Sequence, residues 1–184
     1  MKGIKSIVLG AGMAIATMLS CSTGGNTQLT ESGLNPAAFD TTINNKPVKL
    51  FTLKNKSGME VCITNFGGRV VSLTVPDKDG KPTDVVLGYD NIRQYADSVN
   101  SPSDYGSTVG RYANRIDKGH LHVNGKDYQL PQNNFGHCLH GGPSGWMYQV
   151  YDAEQPNDTT LVMRLMSPDG DNNFPGTVKA TATY

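Results

Sequence analysis

Three segments of this 184-residue chain carry side chains suited to chemistry. The first is Gly110-Arg111-Tyr112-Ala113-Asn114-Arg115-Ile116. It sets an amide beside a guanidinium. Arg115 offers planar donors, and Asn114 offers both a donor and an acceptor. A neutral ring of hydroxyls in a dry pocket needs such groups. On spacing alone, Arg111 and Arg115 read more simply as surface or ion-pairing arginines. The second segment runs from Asn133 to Gly142 and contains His137 and His140. Gly141 and Gly142 follow His140, so the backbone there can approach a ligand closely. Imidazole donates to or accepts from a hydroxyl near neutral pH. A lone histidine is nevertheless more often structural, and the same applies to His137. The third segment, Ser167 to Gly176, alternates Asp, Asn and Gly. It evokes a calcium loop but lacks the glycine and distant glutamate of an EF-hand, so a turn between strands is expected.

The histidines invite a metal reading. His120 and His122 would point to one face of a strand, and His137-x-x-His140 follows. Zinc needs further ligands in ordered spacing. Asp117 and Cys138 could be recruited, but nothing selects them, and no metal is expected.

The elements around these segments are short strands. Val48–Leu53 alternates loosely, and Met59–Asn65 and Arg69–Val75 are further strand candidates, separated by Lys56-Ser57-Gly58 and Gly67-Gly68. Asp77-Lys78-Asp79-Gly80 is a turn, since Asp and Gly tolerate positive φ. Val85–Gly88 reads as a short buried strand. Asn124-Gly125 between His120–Val123 and Tyr128–Leu130 is a strong hairpin signal. Met147–Tyr151, Thr160–Met166 and Thr177–Tyr184 add three more strands. The one helical candidate spans Asn91 to Asp97. Many short strands with frequent turns point to an all-β antiparallel sandwich. The run from Val178 to Tyr184 meets the end of the sequence without a turn, which suggests a fragment, since unpaired strand groups would be exposed.

The N-terminus reads as an export signal. Lys2 and Lys5 precede an uncharged apolar stretch from Ile7 to Leu19. That stretch is about 13 residues, against roughly 20 for a membrane-spanning helix. Ser20 stands directly before Cys21, as in a bacterial lipobox, where the cysteine becomes an acylated N-terminus. An ordinary signal peptide with a chance cysteine is the alternative. The expected organisation is a signal over 1–20, a Ser/Thr/Gly/Asn-rich tether over 21–38 and a folded domain over 39–184. It places the protein outside the cytoplasm, held by lipid on the periplasmic face of a membrane.

Cys62 and Cys138 belong to no C-x-x-C pair and read as buried free thiols, although one disulfide between them is conceivable. The 16 bases and 16 acids balance. Removing Lys2 and Lys5 with the signal leaves 14 bases against 16 acids. No charge run suits nucleic acid, so a small neutral partner is expected.

Together the segments resemble the aldose 1-epimerase (galactose mutarotase) family, from about Phe51 to Tyr184. The resemblance rests on ordered motifs: Asn65-Phe66-Gly67-Gly68-Arg69, Asp84-Val85-Val86-Leu87-Gly88-Tyr89-Asp90, Gly110–Ile116, Leu139-His140-Gly141-Gly142, Ser167-Pro168-Asp169-Gly170 and Phe174-Pro175-Gly176. It implies a large antiparallel supersandwich that interconverts the anomers of a free hexose, such as galactose or glucose, without a cofactor. By resemblance, Asn114, Arg115 and His140 contact the sugar. The family's acid is a histidine in an Asn-His-Ser-Tyr-Phe-Asn-like segment, and its base is a glutamate near the C-terminus. Neither segment occurs in these 184 residues. A His140 acid, a non-catalytic sugar-binding lipoprotein, a hexose 6-phosphate epimerase and a purely structural module are the competing readings. A phosphate would call for extra cations, and no such cluster lies near Arg115 in sequence.

Overall fold

The computed structural model describes residues 28–100 and 103–184. The expected signal, Cys21 and the tether as far as residue 27 lie outside the described residues. Thirteen strands follow in order: β1 Thr41–Ile43, β2 Lys46–Val48, β3 Leu50–Lys54, β4 Glu60–Thr64, β5 Arg69–Pro76, β6 Pro82–Asp84, β7 Arg115–Ile116, β8 His120–Val123, β9 Lys126–Gln129, β10 Cys138–Leu139, β11 Asp152–Asn157, β12 Thr160–Ser167 and β13 Val178–Thr183. One short helix, α1, spans Ile92–Ala96. Asn91 caps it, its side chain accepting the Gln94 amide at 3.2 Å.

Two antiparallel sheets pack face to face. One has the order β3-β4-β5-β6 and the other β11-β12-β13. The period of two in β12 sends Leu161, Met163 and Leu165 inward onto Leu53, Ile63 and Tyr151. The opposite face of the four-stranded sheet buries Cys62 and Val71 against Phe39, Ile92, Tyr95 and Val150. The architecture is therefore the all-β sandwich expected from the strand pattern.

Four segments differ from the sequence expectation. Leu34 joins the core, and the Glu31 amide donates to the Glu60 carboxylate at 2.7 Å. The tether expected over 21–38 thus has its last residues docked on the sheet. Val85–Gly88 forms no strand, and Val85 and Leu87 are exposed. Oδ1 of Asp84 accepts the amides of Leu73 at 3.0 Å and Val86 at 3.1 Å. The carboxylate thereby takes the Leu73 amide, a donor that a continuing ladder would use, and the ladder ends after the Val85 amide reaches the Leu73 carbonyl at 3.0 Å. Met147–Tyr151 is not a strand either: Trp146–Tyr148 is a 3-10 turn. The Met147 carbonyl accepts from Arg69 Nη2 at 3.0 Å, away from any ladder. Polar β11, which contains Pro156, went unread because an edge strand needs neither apolar alternation nor every amide.

The Asn124-Gly125 hairpin forms as expected, with φ of 51° and 74° at its tip. Cys62 and Cys138 are buried free thiols, and burial pushes both thiols up from their ordinary value.

On the β8–β9 hairpin, His122 Nδ1 lies 2.8 Å from the Asp127 carboxylate and His120 Nε2 lies 3.3 Å from it. Bonding to His122 and the nearby imidazoles hold the Asp127 carboxyl below its ordinary value. A depressed folded midpoint means that the contact supports the hairpin above the ordinary carboxylate range. Its contribution is lost as pH falls through the depressed midpoint. An NMR titration should place Asp127 below 3.8. His122→Ala should move the midpoint back toward that value.

Candidate functional site

The two-residue strands β7 and β10 pair antiparallel, setting Arg115 opposite Leu139 and Ile116 opposite Cys138. Just beyond the ladder, Asn114 and His140 grip each other twice. The His140 amide donates to the Asn114 carbonyl at 3.1 Å, and the Asn114 amide donates to His140 Nδ1 at 3.0 Å. Both residues have left-handed backbones, with φ of 65° and 52°. Such values are uncommon outside glycine, though Asn and His adopt them more readily than most residues. Because Nδ1 accepts a hydrogen bond, the neutral His140 ring carries its proton on Nε2.

Two glycines permit this closeness. A side chain on Gly141 would strike the carbonyl of Gly110, and one on Gly110 would strike the Trp146 ring. Asn133 anchors the segment before β10. Its amide accepts the Leu139 N–H at 2.8 Å and donates to the Leu139 carbonyl at 3.1 Å.

Arg115 Nε and Nη2 both donate to Asn134 Oδ1, at 2.9 and 2.7 Å. Asn114 Oδ1 accepts the Arg115 amide at 2.9 Å and Nη1 at 3.4 Å. With that oxygen engaged, Asn114 presents its Nδ2 protons. The shelf therefore offers donors: Arg115 N–H groups, Asn114 Nδ2 and His140 Nε2. Such a surface receives hydroxyl or ring oxygens as acceptors. Asn114 and Arg115 are exposed and His140 is half-buried, so these residues form an open shelf.

The two arginines of the first segment separate clearly. Arg111 ties down the 167–176 loop: Nε donates to Ser167 Oγ at 2.7 Å and Nη1 to the Pro175 carbonyl at 3.0 Å. Its Nη2 reaches the carbonyls of Ser167 and Pro168 at 3.0 and 2.6 Å. That loop is a connection between β12 and β13, as expected. Its acids are occupied, Asp169 by the Gly176 amide and Asp171 by the Ser167 hydroxyl. Asn172 lies against Gly142 and accepts from Ser144 Oγ at 3.0 Å, so the loop props the histidine segment. Phe174 packs on Leu130 and Cys138 beneath β10.

The histidines do not converge. His120 and His122 face Asp127, His137 accepts the Lys118 amide at 3.1 Å, and His140 faces Asn114. Among the described residues, no three His, Cys, Asp or Glu side chains are placed to hold a metal ion. Sequence reading missed Asn133, Asn134 and Asn172 as parts of the site. Their signal was present: asparagine amides beside glycine and histidine can replace backbone partners.

Paired antiparallel sheets carrying an exposed Asn-Arg-His shelf define a mutarotase-like β-sandwich. A family model described as Aldose 1-epimerase matches residues 49–184, and the chain belongs to that family. It is 33% identical over 139 residues to the aldose 1-epimerase of Escherichia coli, covering 76% of this chain and 39% of that protein. It is 35% identical over 137 residues to the galactose mutarotase of Mus musculus, covering 74% and 39%. Among solved structures, the aldose epimerase homologue from C. elegans superposes with a TM-score of 0.69 at 36% identity, covering 74% of this chain and 41% of that one. Galactose 1-epimerase from Lactobacillus acidophilus gives 0.67 at 30% identity, covering 78% and 42%. The chain thus spans about two fifths of the length of the curated relatives it matches.

The contrast between the arginines is measurable. Arg111→Ala strips a charged donor from three carbonyls and should cost about 2–3 kcal/mol in denaturant unfolding. Arg115→Ala, at an exposed position, should stay within about 1 kcal/mol of the parent.

Proposed function

We propose that the protein acts on free hexoses such as galactose or glucose, interconverting their α and β anomers, and that this chain supplies the sugar-orienting half of the site. The observation that carries this reading is the convergence of Asn114, Arg115 and His140 on one donor-lined shelf. Mutarotation removes the proton from the anomeric hydroxyl. The bond from C1 to the ring oxygen breaks, a C1 carbonyl forms, and the ring oxygen takes up a proton. Rotation about C1–C2 and reclosure, with the proton roles reversed, yield the other anomer. Donors on the shelf hold the sugar and stabilise negative charge gathering on oxygen as the ring opens. Removing the hydroxyl proton needs an acceptor, and the three shelf residues offer none. The reading therefore assigns the proton-transfer pair to polypeptide outside these 184 residues. The shelf's lack of a base equally supports the second reading, a non-catalytic sugar-binding protein.

Polarimetry of freshly dissolved α-galactose separates the two. The 184-residue chain should leave the approach to equilibrium rotation unchanged. A longer protein containing it should accelerate that approach, and Arg115→Ala should slow the longer protein at least about tenfold. Acceleration by the 184-residue chain would overturn the division of labour. None by the longer protein would favour binding alone.

We further propose that the protein is exported and lipid-anchored through Cys21, on the periplasmic face of a membrane. The support is the Lys2/Lys5 start, the short apolar run and Ser20-Cys21. In a bacterial host, radiolabelled palmitate should enter the protein, and Cys21→Ser should abolish labelling and release it from the membrane fraction.

A further inference from the structure

A guanidinium on an exposed arginine sweeps many rotamers, and fixing it costs up to about 2 kcal/mol of side-chain entropy. Arg115 is nevertheless held along one edge. Nε and Nη2 converge on a single atom, Asn134 Oδ1, at 2.9 and 2.7 Å. Arginine has only donors, so the oxygen of the Asn134 amide must face it. Both lone pairs of that oxygen are then engaged, and the guanidinium plane is set.

Asn134 is itself held. It opens a four-residue turn closed by two backbone bonds: the His137 amide to the Asn134 carbonyl at 2.9 Å, and the Asn134 amide to the His137 carbonyl at 3.1 Å. The two residues between have φ of 48° at Phe135 and 78° at Gly136. Two positive φ values in a two-residue loop describe a type I′ turn. A phenylalanine in that conformation costs about 1–2 kcal/mol, and its ring is 91% exposed. The ring thus buries little to offset the strain. Asn133, by its two bonds to Leu139, fixes the entry to the turn against the strand residue that directly precedes His140. The turn therefore sets Asn134 relative to the imidazole as well as to the arginine.

We infer that Asn134 is a positioning residue for Arg115. By taking Nε and Nη2 on one oxygen, it aims the remaining N–H groups of the guanidinium at the shelf beside His140. This rests on the reading that the shelf binds a hexose. The side chain need not touch the sugar to set its affinity.

The test uses the full 184-residue chain, with two readouts: the Arg115 Nε–H resonance in 1H–15N NMR and titration with galactose. In the parent, the Nε–H signal should be resolved and slow to exchange with water. Asn134→Ala should abolish that protection and weaken galactose binding roughly tenfold, the equivalent of one hydrogen bond's net contribution. Asn134→Asp keeps the acceptor and should restore both the protection and an affinity within about twofold of the parent. The inference is overturned if Asn134→Ala retains the protection and the affinity. It is equally overturned if Asn134→Asp, with the rest of its spectrum native, loses the protection. Should the 184-residue chain not bind galactose, the shelf alone does not hold a hexose, the hexose reading is left to the polarimetry of the longer protein, and the Nε–H comparison decides the positioning role.

Discussion

The site depends on the double grip between Asn114 and His140 across the end of a two-residue ladder. One bond is ordinary backbone, the His140 amide to the Asn114 carbonyl; the other replaces a carbonyl with an imidazole nitrogen. The second bond does more than join two loops. It consumes the acceptor of the ring, leaves the Nε2 proton for a ligand, and fixes the ring's plane at once. It also requires two left-handed residues in facing positions, so the geometry is strained where it is useful. Backbone that tolerates such strain must be held from outside, and the surrounding contacts supply that support.

The support comes from two directions. Below, Phe174, Leu130 and Cys138 form a small apolar cluster under β10, and Arg111 laces the 167–176 loop to the strand entry. Behind, Arg69 is fully buried, with Nη1 on the Ser103 carbonyl at 2.7 Å and Nη2 on the Met147 carbonyl at 3.0 Å. Its guanidinium carbon also lies 4.9 Å from the centre of the Tyr95 ring, a cation–π contact that helps replace lost hydration. Burial pulls its guanidinium down from the ordinary value. The charge is held by carbonyl dipoles and an aromatic face, which links the sheet core to the 3-10 turn following the histidine segment. Three arginines thus do three different things: one braces the core, one braces a loop, and one faces solvent.

The sequence made the strand pattern, the Asn-Gly hairpin and the short helix legible, because each leaves a local mark, whereas Asn114, Arg115 and His140 are singled out only by resemblance to a family. Period two in β12 and a turn dipeptide are visible without tertiary knowledge. What stayed hidden was set by distant partners. Val85–Leu87 has the composition of a buried strand, yet Asp84 takes the Leu73 amide that would extend the ladder. Met147–Tyr151 looked like a strand, but its first two residues belong to a 3-10 turn, and only Val150 makes an isolated antiparallel bridge, to Phe66. Arg111 and Arg115, four residues apart, are indistinguishable until one finds three carbonyls and the other an exposed amide. The polar N-terminal stretch conceals Leu34, a single apolar residue that docks it.

The chemistry of the shelf follows from this arrangement. The side-chain groups that Asn114, Arg115 and His140 turn outward are donors, because three side-chain acceptors here serve internal order: Asn114 Oδ1 on Arg115, Asn134 Oδ1 on Arg115, and His140 Nδ1 on Asn114. Under the proposed function, a pyranose, whose hydroxyls both donate and accept, would be oriented on this surface through its oxygens. Acceptors, and above all one basic enough to take an anomeric proton, would then come from groups facing the shelf across the sugar. Committing the local side-chain acceptors to rigidity is what makes that proposed division sharp.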